Sequence, residues 1–113
     1  MRGTCLFAAI AAALAVPCAA QTVAPPPSFL APALGYCIAC HQLPENIGPR
    51  TRADLGPALT GERMRTLGRT KVREIIEDPT KANPDTVMPP YGRHRILEAA
   101  EIQKLVEFLL ALP

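Results

Sequence analysis

Cys37-Ile38-Ala39-Cys40-His41 is the densest group of reactive side chains in the sequence. Two thiols one short turn apart can reach the two vinyl groups on one side of a porphyrin and form thioethers. A histidine directly after them is then delivered to the iron from the same face. The C-x-x-C-H run is therefore read as covalent attachment of one haem c, with Cys37 and Cys40 as thioether sites and His41 as proximal iron ligand. Three other chemistries use similar residues. A thioredoxin-like dithiol sits in a βαβ setting, and no strand pattern lies near this one. A structural zinc site takes four nitrogen or sulfur ligands. Beyond the N-terminal segment the chain offers Cys37, Cys40, His41 and His94, without paired-knuckle spacing. A plain disulfide leaves His41 without a role.

A six-coordinate haem needs a second axial ligand. Met88 is the expected one, in the proline-rich stretch 79–92, where Pro84, Pro89 and Pro90 hold its neighbours extended. A buried methionine is more often core filler, and Met64 and His94 are the competing ligands. Met64 falls on a predicted helix whose face must also pack, and His94 lies between Arg93 and Arg95. A ligating histidine usually donates its other ring N–H to a carbonyl or carboxylate, which fixes its tautomer. Gly56-Pro57-Ala58-Leu59 supplies such a carbonyl at Pro57; the competing reading of Pro57 is a turn residue only. Leu59 is expected to pack on the porphyrin.

These residues need elements to position them. Residues 1–20 read as an export signal: Arg2, an apolar core over 6–16, then Pro17-Cys18-Ala19-Ala20 with cleavage before Gln21. The alternative is cleavage before Cys18 with acylation of that thiol. The apolar run is too short to span a bilayer. Residues 21–32, with Pro25-Pro26-Pro27, are expected to form an extended arm, and residues 33–113 the folded domain. A helix starting near Pro32 is predicted to run into the motif with Leu34 and Ile38 on one face. Residues 42–57 read as a loop. A short helix over 61–67 closes at Gly68, and Thr70 is expected to cap a helix over 71–77 that buries Val72, Ile75 and Ile76. Arg63, Arg65, Arg69, Lys71 and Arg73 form its solvated face, from which one residue could meet a haem propionate or steer a partner. Residues 97–112 are the clearest helix: Ile102, Leu105, Val106 and Leu109 recur at i, i+3, i+4 and i+7. This helix is expected to cross the N-terminal one at the haem edge. No segment alternates with period two, so the fold class is all-α.

Composition agrees with a small cofactor-dependent domain. The 113 residues carry 12 basic and 10 acidic side chains, no Trp, three Phe and two Tyr. Signal cleavage removes Arg2, and two haem propionates would take the ferrous holoprotein to about −1, too weak a field for nucleic acid or membrane binding. It also removes Cys5 and Cys18, leaving both remaining cysteines in the motif. A chain of this size buries only about two-thirds of its unfolded surface. The porphyrin is expected to supply apolar mass, and the apoprotein to fold poorly.

The motif, the loop Asn46-Ile47-Gly48-Pro49, Gly56-Pro57-Ala58-Leu59, the late methionine and the C-terminal amphipathic helix resemble class I cytochrome c. The segment Asn83-Pro84-x-Thr86-x-Met88-Pro89-Pro90-Tyr91-Gly92, followed by Leu97 and Glu101-Ile102, resembles more particularly SoxX, the monohaem subunits of the SoxAX cytochromes of thiosulfate oxidation. The resemblance covers most of residues 33–112.

It implies a small class I cytochrome c fold around one covalent haem c in the periplasm. Cys37 and Cys40 would be the thioether sites, His41 the proximal ligand and Met88 the distal one. The partner would be a SoxA-type dihaem or monohaem cytochrome, which conjugates thiosulfate to a cysteine of the SoxYZ carrier as an L-cysteine S-thiosulfotransferase. This chain would collect the electrons and pass them to a small soluble cytochrome c. The sulfur chemistry belongs to SoxA, so no catalytic residue is expected here, nor nucleic-acid binding or membrane insertion. One departure is the short segment before Cys37, which leaves little for an arm that wraps a partner. A free-standing periplasmic electron shuttle is the alternative.

Overall fold

The computed structural model describes residues 23–113. The export signal, its cleavage before Gln21, and Cys5 and Cys18 lie outside the described residues. Four α-helices and two 3-10 turns are joined by long loops, and no strand occurs among the described residues. No helix there is long and apolar enough to cross a membrane.

The first helix departs from expectation. The proline run is extended only to Pro26, and Pro27 opens a one-turn helix, α1 (Pro27–Leu30), at the position where its missing N–H costs nothing. Phe29 is 1 % exposed and packs edge-on against Phe108, with ring centroids 5.2 Å apart. Its burial places this part of the predicted arm in the core. The helix predicted from Pro32 into the motif does not form. Ala31 precedes Pro32 and is extended (ψ 123°), because the proline ring disfavours helical backbone in the residue before it. Tyr36 is left-handed (φ 52°), which separates residues 32–35 from a 3-10 turn at Cys37–Ala39. Leu34 and Ile38 consequently face different surroundings, 43 % and 8 % exposed.

After a loop, Thr60 caps α2 (Gly61–Leu67), its hydroxyl accepting from the Arg63 amide at 3.3 Å. Gly68, at φ 82°, ends α2 and opens α3 (Arg69–Glu77). Thr70 thus lies inside α3 and does not cap it. Asp78 stops α3, and its carboxylate accepts from the Thr80 amide at the start of the Pro79–Lys81 turn. α4 (Ala99–Leu110) buries Ile102, Leu105, Val106 and Leu109, the predicted stripe. It packs against α1, α2 and α3. The Gly61 amide donates to the Pro113 carbonyl at 2.9 Å, and the Arg65 guanidinium donates to the Leu112 carbonyl at 2.7 Å. The segment after α4 is thereby fastened to the start of α2. The core is one continuous cluster from Phe29 to Leu112.

Candidate functional site

The Cys37 carbonyl accepts from the amides of both Cys40 (3.2 Å) and His41 (2.9 Å). One tight turn therefore carries both thiols and the imidazole. Ile38 goes into the core, while Cys37, Cys40 and His41 line a cavity of about 410 Å³. Neither cysteine is in a disulfide. Burial pushes the Cys37 thiol up to about 11, with the neighbouring Cys40 adding to the rise and a backbone hydrogen bond opposing it. An unattached Cys37 is therefore a protonated thiol at neutral pH.

Three bonds bring residues 56–59 against the motif. The Gly56 amide donates to the Cys40 carbonyl at 2.8 Å, and the Leu59 amide to the Gln42 carbonyl at 2.9 Å. The His41 Nδ1 lies 2.7 Å from the Pro57 carbonyl. A carbonyl can only accept, so Nδ1 carries a proton, and in the neutral ring Nε2 is then the nitrogen with the lone pair. The Pro57 carbonyl thus holds the ring in one orientation. Gly56 matters for a different reason, invisible in the sequence: a Cβ there would overlap the His41 ring. Leu59 is buried and lines the same cavity.

Met88 reaches the cavity from residues 83–90, a loop shaped by its own side chains. The Asn83 Oδ1 accepts from the Asp85 amide at 3.1 Å, the Asn83 carbonyl from the Thr86 amide at 3.1 Å, and the Thr86 hydroxyl from the Met88 amide at 3.1 Å. Asn and Thr side chains that bond the backbone two residues ahead are the mark of such turns. Tyr91 then turns back. Its hydroxyl donates to the Gly35 carbonyl at 3.0 Å, and its own carbonyl accepts from the amides of Ile96 and Leu97. Burial pushes the phenol up to about 12, the charges that Cys37 and Cys40 would carry as thiolates contributing less. It stays a donor at any physiological pH.

Of the competing ligands, His94 is exposed, contacts Arg93 and does not line the cavity. Met64 does line it, yet Met64 is also a packed core residue on α2. Among the described residues no group of three or more His, Cys, Asp or Glu side chains is arranged to hold a metal ion between them. That disfavours the zinc reading, and the absence of strands disfavours the thioredoxin-like one. The basic row is mostly paired on the protein itself. Arg65 holds carbonyls after α4, Arg69 pairs with Glu107, Lys71 with Glu74, and Arg73 with Glu77 and Gln103.

The cavity fits a haem on its own chemistry. Both thiols stand on one turn beside an imidazole with a free nitrogen, a thioether comes from a separate loop, and most of the remaining lining is apolar. The volume lies within the roughly 300–1,000 Å³ range of small-molecule sites. No curated protein matches the chain significantly in sequence. The family model for Cytochrome c matches residues 35–113, from just before the motif to the last residue. The chain therefore belongs to the cytochrome c family, whose members carry covalent haem c and transfer electrons.

Proposed function

We propose that this protein is the electron-accepting haem subunit of a periplasmic thiosulfate-oxidising complex of the SoxAX type. The observation that carries the reading is the Met88 loop. Of the residues that carry the SoxX resemblance in Asn83-Pro84-x-Thr86-x-Met88-Pro89-Pro90-Tyr91-Gly92, three bond the loop into shape: Asn83, Thr86 and Tyr91. The cavity border supports a long-lived partner. Tyr36, Leu55, Leu67 and Val87 place large apolar side chains there, and a charge-steered shuttle would instead be ringed by charges.

In this reading Cys37 and Cys40 would hold the haem by thioethers, and His41 and Met88 would ligate its iron. The bound haem supplies a one-electron couple whose potential a methionine ligand raises. The chain's part is to hold both ligands still. His41 is fixed through Pro57 and Gly56, and Met88 through Thr86 and the prolines after it. With His41 and Met88 both committed to the iron, the bound haem would serve electron transfer rather than oxygen or peroxide chemistry. The sulfur chemistry belongs to the partner, a SoxA-type cytochrome acting on the SoxYZ carrier, and a small soluble cytochrome c takes the electrons onward.

The test is purification of the tagged protein from the periplasm of its host grown on thiosulfate, with haem staining of the product. A stoichiometric larger c-type cytochrome with a thiolate-ligated haem is the expected result. A reducible protein that elutes alone would overturn the complex and leave a soluble shuttle. A product found in the cytoplasmic fraction would overturn the location.

A further inference from the structure

Among the described residues that line the cavity, Arg63 is the one with a charged side chain. It lies on α2 between the cap and two other lining residues, Met64 and Leu67, so its stem follows the helix face that borders the site. The other cations of the α2–α3 row are engaged on the protein: Arg65 with carbonyls, Arg69, Lys71 and Arg73 with carboxylates. Arg63 makes no side-chain hydrogen bond or ion pair among the described residues, although acidic side chains are plentiful on the neighbouring helices.

A haem brings two carboxylates to an otherwise apolar lining. A carboxylate placed against apolar surface needs a donor to offset lost hydration. A guanidinium meets it with two parallel N–H groups, on a stem that packs while the head stays at the water edge. We propose that Arg63 pairs with one propionate of the attached haem, and so both orients that edge of the cofactor and tunes its potential. The pairing rests on the covalent haem of the family and is independent of the thiosulfate reading.

The test uses the isolated holoprotein, so no partner can contribute. Arg63→Gln removes the charge, Arg63→Lys keeps it without the planar fork, and Arg95→Gln removes an exposed charge that does not line the cavity. Two quantities are read: the midpoint potential at fixed ionic strength, and the propionate bending band in resonance Raman. Loss of a nearby positive charge favours the oxidised state. Arg63→Gln should therefore lower the midpoint and shift the band. Arg63→Lys should restore most of the midpoint while the band stays shifted, and Arg95→Gln should leave both near wild type. If Arg63→Gln lowers the midpoint no more than Arg95→Gln, or if the band is unmoved in the Arg63 variants, the pairing is wrong. Should Arg63→Gln fail to mature, the band of Arg63→Lys decides alone.

Discussion

The Tyr91 hydroxyl, three residues after Met88, donates to the Gly35 carbonyl, two residues before the first cysteine of the motif. One part-buried bond thus ties the loop that brings the thioether to the segment that brings the imidazole. Removing it should weaken the whole site. Tyr91→Phe keeps the ring and loses about 1 kcal/mol, the usual net worth of such a bond. Thermal unfolding of the holoprotein would measure it, and an unchanged midpoint would mean that the bond adds nothing. The same residue sets an alkaline limit. Its folded value, about 12, lies above the ordinary 10.0, so its contribution is complete below pH 10 and is lost as pH rises towards 12. Burial, the main cause, persists when the cysteines become thioethers. Tyr91→Phe should flatten this stretch of the stability–pH curve.

Gly56 and Pro57 should respond oppositely to alanine. Gly56→Ala drives a methyl into the His41 ring and should cost about 1–3 kcal/mol, with a lower yield of haem-stained protein. Pro57→Ala leaves in place the carbonyl that His41 uses, and should change stability by at most about 1 kcal/mol through the unfolded chain. Equal damage in the two variants would show that the proline ring, not its carbonyl, holds the imidazole.

The two cavity methionines separate ligation from packing. Met88→Ala should abolish the weak far-red absorption of sulfur-ligated ferric haem while sparing much of the fold. Met64→Ala should cost about 2–5 kcal/mol as a core truncation and keep that band. Survival of the band in Met88→Ala would transfer the ligand role to Met64. His94→Gln should alter neither property.

Asp78 marks the acid side. The Thr80 hydroxyl, first, and the Arg93 guanidinium hold its carboxyl below the usual carboxylate range. A depressed value means stability present above the unfolded value near 4 and lost as pH falls through the folded one. Asp78→Asn should lower the melting temperature at pH 7, and the gap to wild type should close in acid. A gap of constant size from pH 7 to pH 2 would remove the charge from the explanation.

Much of this arrangement was legible before the structure. The stripe on α4, the closure of α2 at Gly68, the stop at Asp78 and the Pro57 carbonyl all follow from local rules. The α4 pattern is strong because a whole helical face is buried. The misreadings fall where distant contacts decide. Phe29 is ordered by Phe108, almost eighty positions away, so a proline-rich arm became a turn of helix in the core. Thr70 matched a cap by type, but the chain had already re-entered a helix at Arg69. Gly56 and Tyr91 carry no local signal for their roles. One acts by lacking a side chain beside a ring, and the other by a bond across 56 residues. The Asn83 and Thr86 turns could have been read, since both side chains bond amides two positions on.

The two clamps on the site differ in the order in which they can close. His41 and Pro57 are 16 residues apart, and Tyr91 and Gly35 are 56. Loop-closure entropy grows so slowly with length that the longer clamp costs only about 1 kcal/mol more. Availability separates them further, because a chain made from its N-terminus exposes early segments first. Once residue 59 has emerged, the thiols, the imidazole, its carbonyl acceptor and the glycine beneath it are all present. The sulfur-bearing loop is still unmade. The half of the site that forms covalent bonds can thus come together first, and the methionine loop closes last, as a lock on finished work.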